Sequence, residues 1–120
     1  LTASTRSLEL AQIAAKAASD KLGENIVALD VSEVFPLADI FVFASSRNDR
    51  QTPAIADEIA DQFLRAGVKL LRIEGKAGGR WILMDFGDII CHVMHEEDRM
   101  FYSVERLWKD GVPVQLDIEQ

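Results

Sequence analysis

A chain of 120 residues with 48% hydrophobic and 28% charged side chains is long enough for one packed domain and too apolar for a disordered tail. Its formal charge of -7, from 20 acidic and 13 basic side chains, repels phosphate; this disfavours direct nucleic-acid binding and favours a basic protein partner. The single Cys91 excludes an internal disulfide, and nothing resembles a signal peptide or reaches the roughly 18 apolar residues of a membrane span, so a cytoplasmic protein is expected. The chain opens at Leu1 rather than Met, and an initial segment is expected to be missing.

From Glu9 onward, Leu10, Ile13, Ala14 and Ala17 recur at the spacing of one helical face, and Gly23 after Leu22 suits a left-handed cap. Asn25 to Val31 (NIVALDV) reads as a strand. After Pro36, Ala38 to Ala44 (ADIFVFA) is an apolar run typical of a strand covered on both faces. The polar stretch SSRNDRQT then offers two caps, Asn48 with Gln51 or Thr52 with Pro53. Ile55, Ala56, Ile59, Ala60 and Phe63 keep helical spacing as far as Gly67.

Val68 to Glu74 predicts a third strand and GKAGG a turn. Arg80 to Asp85 and Asp88 to Met94 predict two more strands, joined tightly through Phe86 and Gly87. A last helix is expected over roughly Glu97 to Trp108, and the tail DGVPVQLDIEQ shows turn residues with weak alternation. The order mixes crossovers with hairpins, which implies a single α/β domain over residues 1–120, with a mixed five-stranded sheet flanked by helices. There is no internal repeat, linker or low-complexity segment.

The triplet Asp85-Phe86-Gly87 matches the magnesium-binding triplet of protein kinases, but no glycine-rich nucleotide loop, V-A-I-K lysine or H-R-D loop accompanies it. Asp85 and Asp88 flank a two-residue turn, where aspartate commonly bonds nearby backbone amides. Ser45-Ser46-Arg47 lacks the glycine of a nucleotidyltransferase phosphate turn. His92 and His95, three apart on a strand, point to opposite faces and make no zinc site; His92 is expected to be a structural residue bonded to a neighbouring carboxylate. Cys91 reads as a core thiol, and Gly75, Gly78 and Gly79 open no helix and so cradle no phosphate. Neither a metal nor another cofactor is expected.

Aromatic residues remain in unusual places. Projecting the last helix puts Met100, Phe101, Val104, Leu107 and Trp108 on a core-facing stripe and Tyr102 on the opposite face with Arg99 and Arg106. Phe86 falls at a hairpin tip, where a side chain rarely reaches its own core, and Trp81 begins a strand beside a glycine turn. Each covers a local apolar edge, or strand pairing gathers the three into an aromatic patch with a charged rim, the anatomy of a protein-binding hot spot.

The segments LDVSEVFPLADIFVFASS, RQTPAIADEIADQF and EGKAGGRWILMDFGDIICHVMHEEDRMFYSVERLW, from about Ile26 to Trp108, resemble the ribosomal silencing factor family, also called Iojap or YbeB. The most specific part is the closing pattern E-G, W, D-x-G-D, H-V, E-x-R-x-x-Y-x-x-E-x-L-W. The resemblance implies a nucleotidyltransferase-like fold without catalytic residues. It implies binding to the large ribosomal subunit through its protein number fourteen, a steric block on small-subunit joining, and repression of translation when nutrients are scarce. It also implies Trp81, Phe86 and Tyr102 as the contact residues, and a possible homodimer. ADIFVF lacks a tyrosine often found there, the segment before the second helix is unusually polar, and the tail at 109–120 lies outside the pattern. The alternative from a different class is a small metal-dependent nucleotidyltransferase-like enzyme using Asp85, Asp88 and His92; a dimeric scaffold without ribosome contact is a third.

Overall fold

Strand β2 (Ile40–Ser46) is buried at all seven positions, which is what an unbroken apolar run on a strand demands. The other strands are β1 (Glu24–Asp30), β3 (Arg72–Glu74), β4 (Trp81–Asp85), β5 (Ile89–His95) and β6 (Val112–Val114), with helices α1 (Thr5–Asp20), α2 (Gln51–Arg65) and α3 (Glu96–Tyr102). This computed structural model describes residues 2–102, 106 and 109–119, without the side chains of Phe101 and Tyr102. The sheet order is β3-β4-β5-β2-β1-β6; β2 and β5 run parallel, and the other neighbours are antiparallel.

The sheet therefore has six strands, not the expected five. The additional strand comes from the tail, where Val114 lies opposite Ala28 and Val112 opposite Asp30. Three residues around a proline carry too little alternation to be legible; the open edge of β1 supplies the pairing that makes them a strand. Gln12 on α1 holds the tail from the other side, donating to the Gln115 carbonyl at 2.7 Å and accepting from the Asp117 amide at 2.8 Å. The third strand is shorter than expected, although the Leu71 amide still donates to the Asp85 carbonyl at 2.8 Å. The last helix is described as far as Tyr102; its expected continuation at 103–105 and 107–108 lies outside the described residues.

Both long helices lie on one face of the sheet. Leu10, Ala11, Ala14, Ala15, Ala17 and Ala18 of α1 and Ile55, Ala56, Ile59 and Phe63 of α2 pack with Ile26, Val42, Ile82, Met84, Cys91 and Val93 into the larger core. The small side chains of α1 let its backbone approach the strands closely. Ser4 caps α1 by accepting from the Ser7 amide at 3.0 Å, and the carboxylates of Asp30 and Asp39 take the amides of Ala3 and Ser4 at 2.8 and 3.1 Å. Burial pushes the Asp30 carboxyl upward, but bonds from the Ser32 hydroxyl and from the Ala3 and Ser32 amides outweigh it and leave it below its ordinary value.

The turn after α1 differs from the sequence expectation. The left-handed residue is Leu22, at φ 64°, and not Gly23. Gly23 is required for space instead: a Cβ there would lie 2.9 Å from the Ala18 carbonyl oxygen, whose bond from the Gly23 amide (2.8 Å) closes the helix. The side chain of Gln51 braces the same turn, donating to the carbonyls of Lys21 and Leu22 at 3.1 and 2.9 Å.

Candidate protein-binding face

The face of the sheet opposite α1 and α2 carries a second, smaller core of Leu29, Val31, Ala38, Phe41, Phe43 and Met94. At one end the loop after β1 folds over it, with Phe35 edge-on to Phe41 at a ring separation of 5.3 Å. At the other end α3 closes it. Between these covers Trp81, Leu83 and Ile90 stay half-buried. Period-two alternation places Trp81 and Leu83 of β4 here, while Ile82 and Met84 point to the helices.

Trp81 is held by polar and aromatic contacts together. Its indole N–H donates to Nδ1 of His92 at 3.2 Å, and the His92 ring stacks on Phe43 at 5.0 Å with an interplanar angle of 10°. His92 is thus the structural histidine the alternation suggested, but its partner is an indole and not a carboxylate. Burial lowers its pKa from the ordinary 6.5 to about 4, which keeps Nδ1 an acceptor at neutral pH.

Phe86 requires a correction. Its side chain is 7% exposed and lies 4.3 Å from the Phe63 ring, inside the larger core, instead of projecting from the hairpin tip. Gly87, at φ 93°, turns the chain sharply, and the Phe86 amide donates to the Ile89 carbonyl at 2.9 Å, so the tip folds back onto the end of α2. Asp85 caps this turn by accepting from the Gly87 amide at 2.8 Å, the role expected of a turn aspartate. The backbone of Tyr102 ends α3, while its side chain lies outside the described residues. The structure therefore puts Trp81 on the second face and Phe86 beneath the first.

The facing of α3 also reverses an expectation. Met100, assigned to the core stripe, is 83% exposed, while Arg99, assigned to the charged face, is 8% exposed. Arg99 donates to the Asn25 carbonyl and to the Ser45 hydroxyl, the latter at 2.9 Å, and its guanidinium carbon sits 5.9 Å from the Phe43 ring centroid. These acceptors and the ring face satisfy a buried cation, a choice that hydropathy spacing cannot reveal. Arg80 grips the other side of α3 through Asp98, with N···O distances of 2.7 and 3.4 Å, and the bond holds the Asp98 carboxyl below its ordinary value. Sequence reasoning missed Arg99, Leu83 and Ile90 on this face; only the strand alternation of Leu83 and Ile90 could have signalled them.

The other candidate chemistry falls on scattered positions. Cys91 is fully buried under the helices, and burial pushes its thiol far up. His92 and His95 lie on opposite faces of β5, as their spacing predicts. Among the described residues no group of three or more His, Cys, Asp and Glu side chains stands close enough to hold a metal ion. Among them, too, no helix is long and apolar enough to cross a membrane.

A family model described as ribosomal silencing factor during starvation matches residues 4–120. The ribosomal silencing factor of Bacillus subtilis is 41% identical over 106 residues, covering 88% of this chain and 90% of its own length. That of Halalkalibacterium halodurans is 37% identical, covering 91% and 93%. A crystal structure from Chromobacterium violaceum superposes with a TM-score of 0.82 at 32% identity, covering 92% of each chain. A matched model and relatives spanning nearly the whole chain lead to one statement: the chain belongs to the ribosomal silencing factor family.

Proposed function

We propose that this protein is a non-enzymatic repressor of translation. It binds the large ribosomal subunit through that subunit's protein number fourteen and occupies volume that the small subunit needs. The single observation that carries the reading is the half-buried aromatic and aliphatic patch around Trp81, framed by Phe35 on one side and α3 on the other. An aromatic anchor with a fixed orientation, set in an apolar surround, is what binding hot spots are made of. The charge of -7 draws the domain toward basic ribosomal proteins and away from bulk RNA. No reacting group is needed, because the block is steric. The site of action is the cytoplasm.

In this reading Trp81 touches the partner directly, and Tyr102 joins it from the end of α3. Phe86, being buried on Phe63, acts by anchoring the β4–β5 turn and so the strand that carries Trp81. The test is sedimentation of mixed large and small subunits with the wild-type protein or a folded Trp81→Ala, Tyr102→Ala double variant. Wild type that comigrates with the large subunit and suppresses joined ribosomes, with a variant that does neither, supports the reading. Wild type that migrates free and leaves joining untouched overturns it.

A further inference from the structure

Among the described residues the one parallel strand pair, β2 and β5, ends at Ser46 and His95, and His95 together with the segment after Ser46 lines a cleft of about 740 Å³. Open α/β sheets receive ligands outside the carboxyl ends of their parallel strands. The lining residues are Arg47, Asn48, Asp49, Arg50, Pro53 and His95, and α2, fifteen residues long, starts here. We propose that this cleft binds the phosphate group of a small phosphate ester.

His95 is the observation that points to a ligand. Its Nδ1 accepts the Glu97 amide at 3.2 Å, which leaves the ring proton on Nε2. The side chain is only 7% exposed, yet Nε2 has no hydrogen-bond partner among the described residues. No fully enclosed polar side-chain atom among them lacks a partner, so Nε2 is reached from the cleft that His95 lines. It is a donor on an otherwise buried ring, open to an acceptor from the cleft.

Arg50 supplies the charge. It sits at the head of α2 and makes no ion pair among the described residues, while Arg47 beside it is paired with Glu24. The amides of Arg50 and Gln51 already donate to the Asn48 side chain, at 3.1 and 2.9 Å, so the α2 terminus contributes its dipole and not free amides. Asp49 is the one carboxylate in the lining, and it stands 3.7 Å from Arg80. The Arg50 guanidinium, an imidazole N–H and a helix terminus meet at one cleft of a chain carrying -7, with Arg47 held by Glu24 and Asp49 held by Arg80. A compact phosphate fits that local field, whereas a long polyanion meets the repulsion of the whole surface.

The test is an NMR titration of the full chain, following the arginine Nε–H and histidine ring signals. Inorganic phosphate and adenosine monophosphate are added against sodium chloride at matched ionic strength. Saturable shifts at Arg50 and His95 are expected, with affinity falling about tenfold in Arg50→Gln, an exposed site where folding is checked by circular dichroism. A His95→Gln variant that keeps a neutral donor should retain part of the binding. Shifts that only follow ionic strength, or are unchanged in Arg50→Gln, overturn the proposal. Tighter binding of a short single-stranded oligoribonucleotide than of either phosphate, lost in Arg50→Gln, overturns the small-ester assignment in favour of an RNA backbone. None of these readouts involves ribosomes, so they stand or fall apart from the silencing reading.

Discussion

The Trp81 indole N–H and the His92 Nδ1 are joined at 3.2 Å across neighbouring antiparallel strands. Trp81→Phe removes that donor while keeping an aromatic body, and leaves a buried acceptor unpaired. Such a loss is typically about 1–3 kcal/mol. Urea denaturation followed by circular dichroism should show a lower midpoint at unchanged slope. An unaltered midpoint would mean that the bond contributes nothing.

The same histidine sets a pH dependence. It titrates near 4 in the folded chain against an ordinary 6.5, because burial disfavours its charged form. Between those values the unfolded chain binds a proton that the folded chain refuses, so stability falls as pH drops from about 6.5 to about 4 and levels off below. The full effect is on the order of 3 kcal/mol. His92→Gln should flatten this slope, whereas the Asp30 and Asp98 carboxyls, held below their ordinary values, act at lower pH.

Arg99 and Met100 give opposite results despite their chemistry. Arg99→Met strips the bonds to Asn25 and Ser45 from a buried site and should destabilise by about 2 kcal/mol. Met100→Gln, at an exposed position, should change stability by less than about 0.5 kcal/mol. Thermal melts of both variants decide it; a costly Met100→Gln with a silent Arg99→Met would restore the facing expected from hydropathy.

Phe86→Ala opens a cavity against Phe63 and should lower stability by about 3–5 kcal/mol. The milder Phe86→Leu should leave large-subunit binding intact if Phe86 supports the turn from within. Loss of binding in a Phe86→Leu variant of near-native stability would instead make it a direct contact.

Much of this was legible in the residues. The apolar run of β2, the spacing of Ile55, Ile59 and Phe63, and the alternation of β4 and β5 carry strong periods, and the structure follows them. What escaped depends on partners distant in sequence. Val112–Val114 becomes a strand only because the edge of β1 is open, and Phe86 is buried only because Phe63 waits at the end of α2. Arg99 reads as a surface charge until Asn25 and Ser45, more than fifty positions away, are seen beside it. Trp81 was identifiable as a candidate, while its histidine partner was assigned a different bond.

The two outer strands are the shortest in the sheet, three residues each. β6 carries Pro113, which offers no amide to a newcomer, and β3 presents the charged Arg72 and Glu74. Both borders thus resist lengthening of the ladder by another chain, which guards against fibrous growth. Two copies meeting at high concentration are left to associate through faces of the sheet or through helices, and a face that receives a second copy is closed to any other guest.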